Sequence, residues 1–252
     1  MTIDPDDGDP AVDTVASSSD PDAALSRRAA SEAVEAIGWR YLLHALSLSV
    51  PVGSLVQASQ IAAALVAAAG PDGDGHLRVD LRPDRVELSV QTRDRRQVTV
   101  RDTELAHRLS DLLGDVGLMP AEATSRVPSR PVQSLEMAID ALDIAAIRPF
   151  WKAVMAYVDE PGSDADDSIA DPAGQLPSIW FQQMDAPRLQ RNRVHFDITV
   201  AHDEADIRVR RALDAGGRLV DESSARSFWV LADAEGNEVC VCTWADRDER
   251  DG

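Results

Sequence analysis

The stretch Phe228-Trp-Val-Leu-Ala-Asp-Ala-Glu-Gly-Asn-Glu-Val-Cys-Val-Cys242 decides the fold of the second half of the chain. Two apolar runs flank an Asp-x-x-Gly-Asn segment, a pattern that is typical of a β-hairpin. Upstream lie a strand-like run, Val194–Val200, an acid-led helical stretch, Asp203–Ala215, and the pair Gly216-Gly217. This part of the chain is therefore predicted to fold as strand, helix, strand and hairpin.

The preceding segment repeats the same order. Leu135–Leu142 is strand-like, and Asp143 precedes a helical pattern that contains Ile147-Arg148. The later helix carries Ile207-Arg208 at the corresponding place. Each helix is followed by hairpin-forming sequence, which in the first copy includes Ser178–Met184. We predict two βαβββ modules produced by internal duplication.

The first part of the chain has shorter elements of both kinds. Helical periodicity covers Ser26–Ile37 and Leu55–Ala69, and a third helix is predicted to begin at Asp102 or Thr103. Alternating apolar residues indicate four short strands, at Tyr41–Ala45, Leu46–Val52, Leu77–Leu81 and Val86–Thr92. The predicted fold class is α+β, and the order in this part is α-β-β-α-β-β-α.

Length and composition predict two domains. The chain has 252 residues and 44% hydrophobic residues, which is enough for two domains of ordinary size. Its opening segment holds seven Asp and no Lys or Arg, a composition that favours disorder. Asp159–Pro172 is predicted to be an acidic loop. The predicted organisation is a disordered acidic tail at 1–25, a first domain at 26–118, a Pro-bearing linker at 119–131, a second domain at 132–247 and a short tail at 248–252.

The charge of the chain restricts its partners. A formal net charge of −19 disfavours nucleic acid and anionic membranes, which both attract Lys and Arg. No apolar run approaches the ~20 residues that span a bilayer, and the opening segment is unlike a secretory signal. We therefore expect a cytoplasmic protein with no nucleic-acid or membrane partner. The two cysteines, Cys240 and Cys242, are too few for a zinc site and are predicted to fill apolar positions.

Four segments of the first domain carry a family resemblance: Ala33–Trp39, Gly75–Leu81, Arg85–Thr92 and Thr99–Ala106. With the Ala-rich second helix, they resemble pterin-4a-carbinolamine dehydratase, a lyase that acts on 4a-hydroxytetrahydrobiopterin. The resemblance implies catalytic roles for His76 and Asp102. Imidazole suits this reaction because a proton must be delivered to the leaving hydroxyl and another removed from a ring nitrogen near neutral pH.

The family has a His-His-Pro run after the second helix, a third His after the fourth strand and an Asp at the start of the last helix. This chain departs from that pattern at three positions. Gly75 and Arg93 occupy positions where the family has His, and Leu77 occupies that of a Pro. Arginine does not exchange protons near neutral pH. Two interpretations remain open. In one, His76 and Asp102 sustain dehydration or pterin binding; in the other, the domain is a scaffold for association or another ligand, with His76 in a turn and Asp102 capping a helix.

The second domain carries a resemblance of its own, in Ala138–Asp143 with Phe150-Trp151, Trp180–Gln182, Asn192–Asp197 and Asp233–Glu238. These segments resemble the glyoxalase-like branch of the vicinal-oxygen-chelate (VOC) superfamily. The resemblance implies paired βαβββ modules that form a cupped sheet around a small-molecule pocket. It also implies a divalent metal at four positions, which are occupied here by Leu135, Gln182, His195 and Cys240.

The predicted pocket uses side chains without a metal. Leucine has no donor atom, so we predict neither a metal centre nor a bound cofactor. The pocket is predicted to be lined by Trp180, Gln182, His195, Phe228 and Trp229. An alternative interpretation has His195 close a hydrogen bond inside the cup.

The predicted function is binding of a small organic molecule by a two-domain glyoxalase-like and pterin-dehydratase-like protein. The alternative is an active 4a-hydroxytetrahydrobiopterin dehydratase that uses His76 and Asp102. Whether the chain is an enzyme stays open, with a lyase or a glyoxalase-type activity as the options. Both resemblances are compatible with a homo-oligomer.

Overall fold

The computed structural model describes residues 20–118, 133–161, 168–187 and 194–246. These residues form two compact units. The first contains residues 20–92 and 97–118, and the second contains residues 93–96 together with the described residues from 133 onward. Both units mix helices and sheets, so the predicted α+β class is confirmed. Within the described ranges, no helix combines the length and the apolar character needed to cross a membrane.

The first unit consists of one antiparallel four-stranded sheet and three α-helices. The elements of this unit are α1 (Arg27–Val34, continued by a 3-10 turn at Glu35–Ile37), β1 (Arg40–Leu42), β2 (Ala45–Pro51), α2 (Leu55–Ala69, followed by a 3-10 turn at Gly70–Gly73), β3 (Leu77–Leu81), β4 (Arg85–Val90) and α3 (Val100–Asp115). The sheet has the strand order β1-β2-β4-β3.

One face of this sheet packs against the helices. Alternate residues of β2 and β4 are buried, because successive side chains of a strand point to opposite faces. Leu65 of α2 and Leu105 of α3 join the same core. Trp39 is fully buried, and its Nε1 donates a hydrogen bond to Ser110 Oγ at 2.9 Å, so its polar atom is satisfied inside the core.

Helix α3 begins earlier than the sequence predicts. Its first residue is Val100, so the predicted start at Asp102 or Thr103 is wrong by about half a turn. The reason is a capping box, in which Thr99 is the N-cap and the Asp102 carboxylate accepts a hydrogen bond from the Thr99 backbone N–H at 2.7 Å. Asp102 is thus fixed inside the first turn, with its carboxylate directed back toward the strand end.

The predicted acidic tail is too long at its C-terminal end. Residues 20–25 belong to the first unit, where Leu25 N–H donates to Val98 O at 2.9 Å and Ala24 forms a β-bridge with Thr99. Backbone pairing of this kind orders a polar segment regardless of its composition. Residues 1–19, the linker 119–131 and the tail 248–252 lie outside the described residues.

The second unit consists of two βαβββ modules. The first module contains β5 (Glu136–Ala141), α4 (Ile144–Met155), β6 (Val158–Asp159), β7 (Ser168–Ala170) and β8 (Ser178–Gln183). The second contains β9 (Phe196–Thr199), α5 (Ala205–Asp214), β10 (Arg218–Asp221), β11 (Phe228–Ala232) and β12 (Glu238–Cys242). In each module the first strand pairs in parallel with the last, giving the orders β5-β8-β7-β6 and β9-β12-β11-β10. The prediction of two βαβββ modules is confirmed.

The stretch Asp159–Pro172 is not entirely a loop. Residues 168–170 form strand β7, which pairs with β8, and Ile169 is fully buried in the core of the second unit. A three-residue strand is too short for its alternation to stand out in an acidic segment, so composition alone predicts a loop here.

A hairpin turn of the second module holds the helix of the first. Asp233 is fully buried and accepts a hydrogen bond from Trp151 Nε1 of α4 at 3.0 Å. Glu235 accepts from the backbone N–H groups of Leu142 at 2.8 Å and Asp143 at 2.6 Å, at the start of the same helix. The Asp-x-x-Gly-Asn motif therefore does more than close the hairpin: it joins the two modules.

Candidate functional site

In the first unit, His76 and Asp102 form a closely spaced pair. His76 Nδ1 lies 2.8 Å from Asp102 Oδ1. The Asp102 side chain is fully buried, and that of His76 is 16% exposed. Because an ionised carboxylate only accepts hydrogen bonds, the imidazole tautomer that satisfies this contact is the one with its hydrogen on Nδ1.

The second oxygen of Asp102 is held by its neighbours. Asp102 Oδ2 accepts hydrogen bonds from Thr92 N at 3.1 Å and Oγ1 at 2.7 Å, and from Thr99 N at 2.7 Å and Oγ1 at 3.0 Å. These donors compensate for burial of the carboxylate and fix its orientation. His76 is therefore positioned by a carboxylate whose own orientation is fixed.

Gly75 has a backbone that suits glycine. Its φ is +75°, a left-handed conformation that residues with a Cβ adopt at a cost. The position where the resembled family has its first His is therefore part of a turn here, directly before the retained His76.

In the second unit, strand β8 has one buried face and one open face. Ile179 and Phe181 are buried in the core, whereas Trp180 is 38% exposed and Gln182 is exposed. In the parallel pairing with β5, Trp180 lies opposite Ala138 and Gln182 opposite Asp140. An indole ring and an amide thus stand two residues apart on the face directed away from the core.

The second module has a similar open face, formed by β9, β12 and β11. Cys240 pairs with Asp197 on one side and with Val230 on the other. Phe228, two residues before Val230, is half-buried on the same face. His195 precedes Asp197 by two residues, and its Nδ1 lies 3.3 Å from Asp197 Oδ1.

Trp229 does not belong to this open face, so its place in the predicted pocket is wrong. It neighbours Phe228 on the same strand, and consecutive strand residues point to opposite sides. Trp229 is 7% exposed and packs in the core with Leu231. The aromatic pair in the sequence is therefore divided between the two faces of β11.

The comparisons with known proteins bear on the second unit. The family described as "Glyoxalase-like domain" matches residues 136–242, so this stretch of the chain is a glyoxalase-like domain. The match spans both βαβββ modules, from the first residue of β5 to the last of β12. No curated protein matches the chain.

Solved structures show distant likenesses. One is a glyoxalase/bleomycin resistance protein from Albidiferax ferrireducens, at 16% identity and TM-score 0.35, covering 43% of this chain and 95% of that one. Another is the fosfomycin resistance protein FosX from Mesorhizobium loti, at 13% identity and TM-score 0.36, covering 48% and 98%. A third is a transcriptional coactivator/pterin dehydratase from Brucella melitensis, at 22% identity and TM-score 0.32, covering 36% and 98%. These values are too low to transfer a substrate or a mechanism.

The metal set implied by the VOC resemblance does not fit the glyoxalase-like domain. Leu135 is strongly exposed and has no donor atom. Of the remaining positions, His195 and Cys240 come together with a residue that the sequence analysis missed, Asp197. The signal available in the sequence was the His-x-Asp spacing, which places both side chains on one face of a strand.

Cys240 is a protonated thiol in this arrangement. Burial, followed by a hydrogen bond with Asp197, raises the pKa of the Cys240 thiol to about 12. Both effects disfavour the thiolate, because a low-polarity site and a nearby carboxylate each oppose a further negative charge. Without a cation beside it, this cysteine is not a nucleophile near neutral pH.

Proposed function

We propose that the glyoxalase-like domain binds a small organic molecule on the open faces of its sheets. Support comes from the exposed indole of Trp180 on a strand whose opposite face is core. An exposed aromatic ring beside polar groups is typical of ligand-binding surfaces. Gln182 and His195 add an amide and an imidazole, which supply hydrogen-bond donors and acceptors, and Phe228 adds apolar surface.

The experiment uses the full chain and a fluorescent aromatic probe, anilinonaphthalene sulfonate. We expect the Trp180→Ala variant to bind the probe about three- to tenfold more weakly, since an aromatic contact contributes about 0.5–1.5 kcal/mol. Fluorescence titration measures the change.

Trp244→Ala is the matched control, because Trp244 is also exposed but follows the last strand, where its ring lies 5.1 Å from that of His202. The control is expected to bind the probe as the parent does. Equal affinity of the Trp180→Ala variant and the parent would contradict the proposal.

A second candidate function belongs to the first unit, and the His76–Asp102 geometry favours it. We propose dehydration of a 4a-carbinolamine of a tetrahydropterin, the activity implied by the resemblance described above. The C–O bond to the 4a-hydroxyl breaks, a proton joins the departing hydroxide to form water, and a ring N–H proton is lost to leave the quinonoid product. His76 Nε2 is the chain's proton-transfer atom, and Asp102 keeps Nδ1 protonated.

The test follows formation of the quinonoid dihydropterin by absorbance. We expect His76→Gln to lower the rate above background by about 10²- to 10⁴-fold, the usual contribution of a general acid–base group. His107→Ala is the control, since that imidazole contacts Ala33 O and not Asp102. A parent rate equal to the uncatalysed reaction, or an unaffected His76→Gln variant, would contradict this candidate.

A further inference from the structure

Thr92 lies where the end of β4 meets both members of the His76–Asp102 pair. Gln91 N–H donates a hydrogen bond to His76 O at 3.1 Å, so the pairing of β3 with β4 sets Thr92 close to the imidazole. A β-bridge between Thr92 and Gln97 closes the turn that follows β4. Thr92 is 8% exposed, and a hydroxyl this deeply buried needs partners within the protein.

The Thr92 hydroxyl has a single hydrogen but several polar neighbours. Its Oγ1 lies 2.7 Å from Asp102 Oδ2, 3.0 Å from Thr99 Oγ1 and 3.5 Å from His76 Nδ1. A hydroxyl donates one hydrogen bond and accepts others, and the shortest of these contacts, which is to a carboxylate, takes the hydrogen. The Thr92 oxygen is therefore an acceptor on the side that faces the imidazole.

Two acceptor oxygens thus face His76 Nδ1. Asp102 Oδ1 lies at 2.8 Å from this nitrogen and Thr92 Oγ1 at 3.5 Å. An imidazole with its hydrogen on Nδ1 satisfies this arrangement, whereas a bare Nδ1 would set its lone pair against theirs. In the favoured neutral tautomer, Nε2 carries no hydrogen and is the nitrogen that accepts a proton.

We infer that Thr92 is a positioning residue, which holds the Asp102 carboxylate and keeps His76 in the tautomer whose Nε2 accepts a proton. Thr99 also binds Asp102 Oδ2, but it is the N-cap of the same helix, so its bonds belong to the capping box. Thr92 comes from the sheet, binds Asp102 Oδ2 through both its backbone N–H and its hydroxyl, and lies beside the imidazole as well. The catalytic consequence of this role rests on the second candidate function.

The first experiment reads the tautomer of His76 by ¹⁵N NMR of the histidine-labelled full chain, at a pH where the imidazole is neutral. His76→Gln assigns the signal, and the parent is expected to carry the hydrogen on Nδ1. Thr92→Val replaces the hydroxyl by a methyl group and keeps the backbone donor. We expect it to raise the ratio of the Nε2-protonated to the Nδ1-protonated tautomer about three- to tenfold, the effect of losing one hydrogen bond.

Thr92→Ser keeps the hydroxyl and is expected to show the parent tautomer, while Thr92→Ala is expected to repeat the shift of Thr92→Val. Thr103→Val is the matched control, because Thr103 is also 8% exposed and its hydroxyl donates to Val100 O at 2.8 Å. It removes an equally buried hydroxyl next to Asp102 and is expected to leave the tautomer unchanged. Circular dichroism checks that each variant is folded. A parent protonated on Nε2, a parent-like Thr92→Val, or an equal shift in Thr103→Val would overturn the inference.

The dehydration assay separates this inference from the function on which it rests. With an active parent, Thr92→Val is expected to lower kcat about three- to tenfold and to leave KM within about twofold, since the hydroxyl acts on the imidazole and its carboxylate. Thr92→Ser is expected to restore the parent kcat, and an unchanged kcat in Thr92→Val would contradict the positioning role. An inactive parent would remove the second candidate function, and the tautomer of the Thr92→Val variant would still decide the role of Thr92.

Discussion

Single residues decide how closely α4 and the start of β10 approach each other. A Cβ added at Gly217 would lie 2.3 Å from Cδ2 of the Phe150 ring and 2.8 Å from the Ala212 carbonyl oxygen. Phe150 is fully buried and contacts Trp151 in an edge-to-face arrangement, so a shift of its ring would disturb neighbouring core side chains. Only a residue without a side chain fits between these groups.

Gly217→Ala is therefore expected to destabilise the second unit by about 1–3 kcal/mol, the usual cost of overpacking a core. Denaturant unfolding followed by circular dichroism measures the change. Gly53→Ala is the control, because its added Cβ would meet Gln57 Oε1 at an ordinary contact distance of 3.4 Å. A Gly217→Ala variant as stable as the parent would show that the ring moves aside freely.

At the level of elements, the β11–β12 turn fixes the position of the N-terminal end of α4. The first N–H groups of a helix have no partner within it, and Asp143 and Glu235 supply acceptors at this end. Asp143 is the N-cap and accepts from Ala146 N at 3.1 Å, while Glu235 reaches across from the other module. The helix end is thus held by its own sequence and by a distant hairpin.

Glu235→Ala is expected to lower the free energy of unfolding by about 1–2 kcal/mol, since two backbone donors lose a charged acceptor. Chemical denaturation of the full chain measures it. Glu222→Ala, which removes an exposed carboxylate from the same unit, is expected to change stability by less than about 0.5 kcal/mol. Equal effects of the two substitutions on the free energy of unfolding would show that Glu235 does not stabilise the start of α4.

At the scale of the whole molecule, each unit has a core of its own, and the two cores share no residue. The net charge of −19 makes like chains repel, yet α2 contains no charged residue and exposes Leu55, Val56 and Val66.

Four expectations from the sequence stay predictions. They are the homo-oligomer, the absence of a nucleic-acid partner, the absence of a membrane partner and the cytoplasmic location.

Local patterns were enough to predict much of the architecture. The predicted hairpin at Phe228–Cys242 forms, because its turn residues and apolar alternation act over a few positions. The repeated strand–helix order predicts two modules for the same reason. Local information was insufficient at α3, at residues 20–25 and at β7, where a cap or a distant strand decides the structure.

The sequence by itself determined most of the helices and strands, the order of the two modules and the candidate side chains His76, Trp180 and His195. Only the tertiary structure decided which of them meet. Asp197 reaches Cys240 through the parallel pairing of β9 with β12, and Trp229 turns into the core of the second unit. The physical reason is that parallel strands are joined by a long crossover, so their register depends on the packing of the whole module and leaves no short-range pattern in the sequence.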